Sequence, residues 1–208
     1  MVGFSQVLKD TSIIVSGFPR SGTTTMMRMM YLGGFDILAS KRSQEKQDEF
    51  SPYGVFELDF VKDEIRKNDP EWLSGKVLKL VSPYIRHLPK RDNYKVIFML
   101  RDENEIISSL LAMRTIWEDV PSECNAWALE FLKRHNIPVL KIQYREMVQY
   151  PKTTAMQIGD FLEVEVDFDA MAKAVDRNPR KRVKNVRFKE GEEPLVMFEG
   201  KLAKLATT

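Results

Sequence analysis

The stretch SIIVSGFPRSGTTTMM constrains the fold more than any other part of the sequence. It begins with an apolar run at 12–16 that predicts a strand, passes through a loop rich in Gly and Ser, and continues into a Met-rich segment at 23–33 that predicts a helix. In this order, the loop amides and the positive end of the helix dipole converge on one point, which favours a bound anion. Gly17 and Gly22 have the spacing of a phosphate-binding loop, but Thr23 stands where such a loop has its lysine.

The rest of the chain alternates short apolar runs with longer amphipathic segments. The apolar runs predict strands at 12–16, 77–81, 96–100 and 138–142. The amphipathic segments predict helices at 23–33, 56–67, 104–117, 122–134, 151–163 and 168–176. Asp102 and Glu105 predict a capping box at the start of the third of these helices. We therefore expect an α/β fold in three layers, with a P-loop-type parallel sheet and helices on both of its faces.

The composition fits one globular domain across residues 1–208. The formal net charge is +2, which by itself gives no reason to expect a nucleic-acid partner. No apolar run approaches the roughly 20 residues that span a bilayer, and the N-terminal residues contain no apolar signal segment. We therefore expect a cytoplasmic protein without a membrane partner. Cys124 is the only cysteine, and together with the two distant histidines, His87 and His135, it matches no metal-ligand spacing, so we expect neither a disulfide nor a metal site.

Two segments fall outside the alternating pattern. Residues 40–54 are polar and charged without an apolar period, which predicts a surface loop or a mobile lid. Residues 177–189 contain seven Lys and Arg and no acid, within a C-terminal extension at 177–208 that we expect to be basic and helical. The basic run is interpreted either as a solvated face or as a nonspecific nucleic-acid patch.

The loop sequence resembles that of a known family. Residues 17–24, GFPRSGTT, are similar to the 5′-phosphosulfate loop of sulfotransferases that use 3′-phosphoadenosine 5′-phosphosulfate (PAPS), which reads Pro-Lys/Arg-Ser-Gly-Thr-Thr. The resemblance implies PAPS as the cofactor, adenosine 3′,5′-bisphosphate (PAP) as its product, and no metal. The loop residues that would bind the cofactor are Arg20, Ser21, Gly22, Thr23 and Thr24. The arginine among them has the planar, forked donors that suit a terminal phosphate or sulfate group.

A second set of residues resembles the family's site for the 3′-phosphate. The family has an arginine at a strand end and a serine eight residues later, and Arg101 and Ser109 have that spacing. Tyr144 matches a tyrosine that lies beside the nucleotide, although Arg145 replaces the acid that usually follows it. The resemblance extends over about residues 12–176 and includes SPYGVFE and GKVLKLVSPYIRHLP, which are similar to segments of short bacterial members.

The chain departs from the family at three places. Thr25 stands where animal cytosolic members often have a tryptophan near the adenine. Val81 stands where they have their catalytic histidine. Their C-terminal Arg-Lys-Gly has no clear match, and the PRKR run at 179–182 is the candidate substitute.

The resemblance implies transfer of a sulfuryl group to a hydroxyl or amine of a small-molecule or glycan acceptor, which the sequence does not identify. Positioning and charge stabilisation do most of the catalysis in such an in-line displacement. Arg20 and Lys79 are the cations expected at the transferring group, and an edge position beside the sheet is the alternative for Lys79. The candidate bases are Glu57, Glu49 and His87. Glu57 is preferred because it opens a predicted helix beside the cleft, although burial would have to raise its pKa from the ordinary value of about 4.3.

Three other functions remain alternatives. A P-loop kinase for small molecules would need a cation on the β- and γ-phosphates, which Thr23 does not supply. A non-catalytic protein that binds PAP or PAPS would keep both phosphate sites without turnover. A nucleic-acid binder would depend on the basic run at 177–189. The sequence gives no indication of the oligomeric state.

Overall fold

The computed structural model describes residues 8–40, 56–57, 70–89, 93–175, 195–198 and 201–204. Its centre is a five-stranded sheet in which all neighbouring strands run parallel. Its strands are β1 (Ser12–Ser16), β2 (Ile37–Leu38), β3 (Val77–Lys79), β4 (Tyr94–Leu100) and β6 (Val139–Gln143). The strand β5 (Thr115–Trp117) lies between β4 and β6 in the sequence but outside this sheet. The order in the sheet is β2-β3-β1-β4-β6, so the carboxyl ends of β3, β1 and β4 meet at one edge.

Within the described residues, six α-helices accompany these strands. They are α1 (Thr23–Leu32), α2 (Glu103–Ala112), α3 (Pro121–Arg134), α4 (Tyr144–Gln149), α5 (Pro151–Leu162) and α6 (Phe168–Ala172), with 3-10 turns at Pro70–Leu73 and Ser82–His87. Of the predicted capping box of α2, one half is confirmed, since the Asp102 side chain accepts a hydrogen bond from the Glu105 amide at 3.1 Å. The Glu105 carboxylate instead accepts from Arg101 and Arg145. Proline begins α3 and α5, where its missing amide hydrogen costs nothing.

Hydrophobic side chains pack on both faces of the sheet. On one face, Ile13 and Val15 of β1 belong to a core that α1, α5 and α6 also form. On the other face, Ile14 packs in a core with Ala128 and Leu132 of α3. Every residue of β1 is buried by this alternation, as expected for a central strand covered on both sides. The predicted three-layer α/β fold is therefore confirmed.

The predicted strands are present, with ends shifted by up to two residues. The sequence did not predict β2, which is only two residues long and has no pattern of its own. Its place in the sheet comes from parallel pairing with β3, in which Ile37 lies opposite Val77.

The helix predicted at 104–117 is too long at its C-terminal end. It ends at Ala112, and two residues later Arg114 has a φ of 54°, in the left-handed region, which cannot continue a helix. The next three residues form β5 instead. Threonine, isoleucine and tryptophan favour a strand, which explains the change.

A second, three-stranded sheet contains β5. This strand pairs parallel with β7 (Leu195–Phe198), which pairs antiparallel with β8 (Lys201–Lys204). The helical structure predicted for the extension at 177–208 is therefore wrong at these residues. Two residues separate the runs LVMF and KLAK in the sequence, a spacing typical of a hairpin.

Two other predicted helices differ from the structure. The helix predicted at 56–67 does not begin at Phe56, which has a φ of 53°, and residues 58–67 lie outside the described residues. The helix predicted at 168–176 ends at Ala172. In the described ranges, no helix is long and apolar enough to span a membrane.

Candidate active site

The glycine-containing loop leaves the carboxyl end of β1, the central strand, and leads into α1. Gly17, Arg20 and Gly22 have φ angles of 130°, 73° and 102°, so the chain enters the left-handed region three times within six residues. Such turns direct successive amides to one side and form a concave site for an anion. Arg20 is the exception among them because it has a side chain, and strain of this kind is concentrated at functional sites.

Close contacts explain the two glycines. A Cβ atom at Gly17 would lie 2.4 Å from the Met99 carbonyl oxygen of β4. A Cβ atom at Gly22 would lie 2.5 Å from the Tyr144 ring. The loop therefore passes close to β4 on one side and to α4 on the other, which brings its backbone against the ends of both elements.

The N-terminus of α1 carries no group that competes with an anion. Gly22 is its N-cap and provides no side chain to accept from the first-turn amides, and the first turn contains no acid. These amides have no acceptor inside the helix, and the helix dipole is positive there. Ser21 and Thr23 are buried, so their contribution to a ligand would come from the backbone more than from an exposed hydroxyl.

Lys79 lies at the end of β3 and connects the loop to Glu57. Its ammonium donates to the Thr24 hydroxyl at 3.0 Å and to Glu57 Oε1 at 2.7 Å. The side chain of Lys79 is 5% exposed, whereas that of Glu57 is 53% exposed. Because β3 lies between β2 and β1, Lys79 is not on an edge strand, contrary to the alternative considered from the sequence.

Arg101 lies at the end of β4 and contacts the loop from the opposite side. Its Nη1 donates to the Arg20 carbonyl oxygen at 2.8 Å, and its Nε donates to Glu105 Oε2 at 3.0 Å. The guanidinium also lies over the Tyr144 ring, 4.3 Å from the ring centre. These contacts fix Arg101 beside the loop and beside the predicted nucleotide-contacting tyrosine.

Arg20 and Ser109 are in direct contact. Arg20 Nε donates to the Ser109 hydroxyl at 3.0 Å, and Ser109 is buried on α2. The sequence placed these two residues at different phosphate groups. The structure brings them together, so the two predicted phosphate sites form one continuous polar surface.

Sequence reasoning missed one ionic contact at this surface. Arg145 donates to Glu105 Oε1 from Nη2 at 2.7 Å and from Nε at 3.1 Å, so the carboxylate of Glu105 lies between Arg145 and Arg101. Burial alone would raise the pKa of Glu105, but the hydrogen bonds and charges of the two arginines outweigh it and hold the pKa below its ordinary value. The sequence feature that could have indicated this contact is Arg145 itself, which stands where the family usually has an acid.

The candidate bases lie in different surroundings. Glu57 contacts Lys79 and is half-exposed, so the burial that would strengthen it as a base is not found. His87 ends the 3-10 turn after β3, where its ring lies 6.3 Å from that of Tyr84 and where the turn packs against α3. Glu49 lies outside the described residues.

Two predicted segments lie almost entirely outside the described residues. Of the lid predicted at 40–54, only Ser40 is described, and its amide donates to the Glu57 carbonyl oxygen at 2.9 Å. The PRKR run at 179–182 lies outside the described residues, as does all of 177–189. Among the residues that are described, no group of three or more metal-binding side chains lies together.

No protein-family model matches the chain, and no curated protein matches it by sequence. Solved structures do match. The mouse sulfotransferase SULT7A1 complexed with PAP is 17% identical, with a TM-score of 0.51, and the match covers 91% of this chain and 74% of that one. The chain and this enzyme share a fold.

Two sulfotransferase domains match at lower TM-scores. The domain from the curacin biosynthetic pathway is 17% identical, with a TM-score of 0.47 and coverage of 82% of this chain and 79% of that one. The domain from the Synechococcus PCC 7002 olefin synthase is 16% identical, with a TM-score of 0.48 and coverage of 86% and 81%.

Proposed function

We propose that the protein is a sulfotransferase that moves the sulfuryl group of PAPS to a hydroxyl or amine of a small-molecule or glycan acceptor. The observation that carries the proposal is the meeting of Arg20, Lys79 and Arg101 around one loop, at the ends of three neighbouring strands. The fold shared with a mouse sulfotransferase whose structure contains PAP supports the same function.

The donor groups of the site fit a nucleotide with phosphates at both the 5′ and 3′ positions. The amides at 22–24 and the dipole of α1 would hold the 5′-phosphosulfate, which the loop backbone can approach because Gly22 has no side chain. Arg101 and Ser109 would hold the 3′-phosphate, with Tyr144 beside the nucleotide. In the ion pairs of the site, the three cations Lys79, Arg101 and Arg145 face the two carboxylates Glu57 and Glu105, so the net charge of these side chains favours an anionic ligand.

PAPS would supply an activated sulfuryl group. The task of the protein is then to stabilise the negative charge that develops on the bridging oxygen and to accept the proton of the acceptor. Arg20, the loop amides and the Thr24 hydroxyl are the groups proposed for the first role. Lys79 holds that hydroxyl and adds its own charge to the surroundings of the transferring group. Glu57, which also accepts a hydrogen bond from Lys79, is proposed for the second role.

A second function is favoured by one observation at Glu57. Its carboxylate is half-exposed and paired with Lys79, and neither of these two features strengthens it as a base. A protein that binds PAP or PAPS without turnover would have the same phosphate contacts and no need of such a base. The two functions therefore agree about binding and disagree about transfer.

Calorimetry with a set of nucleotides tests the binding. PAP should bind at least about tenfold more tightly than adenosine 5′-phosphate, a difference of about 1.4 kcal/mol, because only PAP offers a group to Arg101 and Ser109. ATP with Mg²⁺ tests the kinase alternative. Equal affinity for PAP and adenosine 5′-phosphate, or a clear preference for ATP with Mg²⁺, would contradict the proposal.

A transfer assay separates the enzyme from the non-catalytic binder. Radiolabelled PAPS is incubated with the protein and a library of hydroxyl- and amine-bearing acceptors, and labelled product is measured. We expect transfer to at least one acceptor class. Tight PAP binding without labelled product across the library would favour the binder.

A further inference from the structure

The contact between Arg145 and Glu105 determines the net charge of the side chains around Arg101. Glu105 uses Oε2 to accept from Arg101 and Oε1 to accept from Arg145. With Arg101 alone, the carboxylate would neutralise the one cation that the 3′-phosphate is proposed to need. With Arg145 present, one negative charge is shared by two positive charges, so the three side chains together remain cationic.

Arg101 also keeps hydrogen-bond donors for a ligand. A guanidinium has five N–H donors. Within the described residues, Glu105 accepts from its Nε and the Arg20 carbonyl oxygen accepts from its Nη1. The remaining donors are one on Nη1 and two on Nη2, and the oxygens of a phosphate can accept from them.

The same contact joins two elements of the site. Glu105 lies on α2, and Arg145 lies on α4 directly after Tyr144. Tyr144 in turn lies against Gly22 of the loop and beneath the Arg101 guanidinium. The Arg145–Glu105 ion pair therefore links the first turns of α2 and α4. Arg101, which precedes α2, and Tyr144, which begins α4, both contact the loop.

We propose that Arg145 is a positioning residue that determines specificity: by binding Glu105, it offsets the carboxylate that would otherwise neutralise Arg101, and it thereby favours nucleotides with a 3′-phosphate. This inference rests on the proposed function, since it takes the 3′-phosphate of PAP as the ligand of Arg101. Arg145 acts through Glu105 and does not itself contact the phosphate.

The test compares the affinities for PAP and adenosine 5′-phosphate in a set of variants. Arg145→Gln should reduce the preference for PAP about threefold, a size typical of an exposed ion pair, and should leave the affinity for adenosine 5′-phosphate unchanged. Arg145→Lys keeps the charge and should retain most of the preference. The effect of Arg145→Gln should grow as the salt concentration is lowered.

A matched control and a double variant separate this role from others. Arg134→Gln removes an arginine of the same exposure, 73% against 72% for Arg145, from an ion pair with Glu130 on α3, and should leave the preference unchanged. In a Glu105→Gln background, Arg145→Gln should have little further effect because the carboxylate that it offsets is gone.

The possible failures are distinguishable. If wild-type protein prefers PAP and Arg145→Gln keeps that preference, the inference is wrong and the proposed function stands. If Arg145→Gln costs as much with Glu105→Gln as without it, the inference is also wrong, because Arg145 would then act on the phosphate directly. Equal affinity of the wild-type protein for the two nucleotides contradicts the proposed function, and the inference with it.

Discussion

The two ends of the candidate site hold their charges in different ways. The lysine end consists of Thr24, Lys79 and Glu57, and the arginine end consists of Arg101, Glu105 and Arg145. At the lysine end, one buried ammonium contacts a hydroxyl and a half-exposed carboxylate. At the arginine end, one partly buried carboxylate lies between two guanidinium groups.

This difference indicates a division of tasks. An ammonium is a compact charge with rotatable donors, so it can follow a charge that changes position during a reaction. A guanidinium presents planar, fixed donors, which suit a phosphate that stays in place. We therefore expect chemistry at the lysine end and recognition at the arginine end, so substitutions at the two ends should affect different measured quantities.

The largest effect is expected at the lysine end. Glu57→Gln should lower kcat about a hundredfold or more while PAP still binds, because the amide cannot accept the proton of the acceptor. The measurement is steady-state transfer with any acceptor that the assay identifies, together with calorimetry for PAP. His87→Ala is the comparison variant and should remain near wild type. The reverse result would assign the base to His87 and remove chemistry from Glu57.

The next effect is expected at the arginine end. Arg101→Ala should weaken PAP binding by about 1.5–3 kcal/mol, the value of a charge-assisted hydrogen bond, with little change for adenosine 5′-phosphate. Calorimetry with both nucleotides measures it. An equal loss for the two nucleotides would mean that Arg101 supports the loop as a whole, through the Arg20 carbonyl, rather than recognising the 3′-phosphate.

The smallest effect concerns stability at the arginine end. The pKa of Glu105 is lowered in the folded protein, so its ionised form stabilises the fold above the ordinary glutamate pKa of about 4.3. This contribution is lost as the pH falls through the lowered pKa. Glu105→Gln should therefore reduce the free energy of unfolding at pH 7 by no more than about 1 kcal/mol. Urea denaturation at pH 7 and at lower pH should show the difference shrinking on acidification. A difference that does not depend on pH would indicate packing rather than charge.

The elements that the sequence predicted well have strong local patterns. The short, nearly all-apolar runs around β1 and β4 are typical of buried strands, and Asp102 marks the start of α2 by its own side chain. The incorrect extension of the predicted helix beyond Ala112 to residue 117 has a local cause as well. The helical spacing of apolar residues continues past Ala112, and it masks the strand preference of the three residues that form β5.

The contacts of the site were less accessible from the sequence. The resemblance named Arg20, Arg101, Ser109 and Tyr144, and the structure brings them together, although their binding roles stay predictions. The contact between Glu105 and Arg145 joins positions that are 40 residues apart. Glu105 also had a local interpretation as the second residue of a capping box, which gave no reason to look for a distant partner.

The two loop glycines have different consequences for relatives of this chain. At Gly17 the obstacle to a side chain is the carbonyl of Met99, a backbone atom of the neighbouring strand, which every chain with this strand pairing must have. At Gly22 the obstacle is the Tyr144 ring. In an alignment of related chains, glycine at the first position should therefore be retained whatever the ligand, as a marker of the fold. Glycine at the second position should be retained because its φ of 102° strains any other residue, so a smaller residue at position 144 in a related chain should not be accompanied by a side chain at position 22.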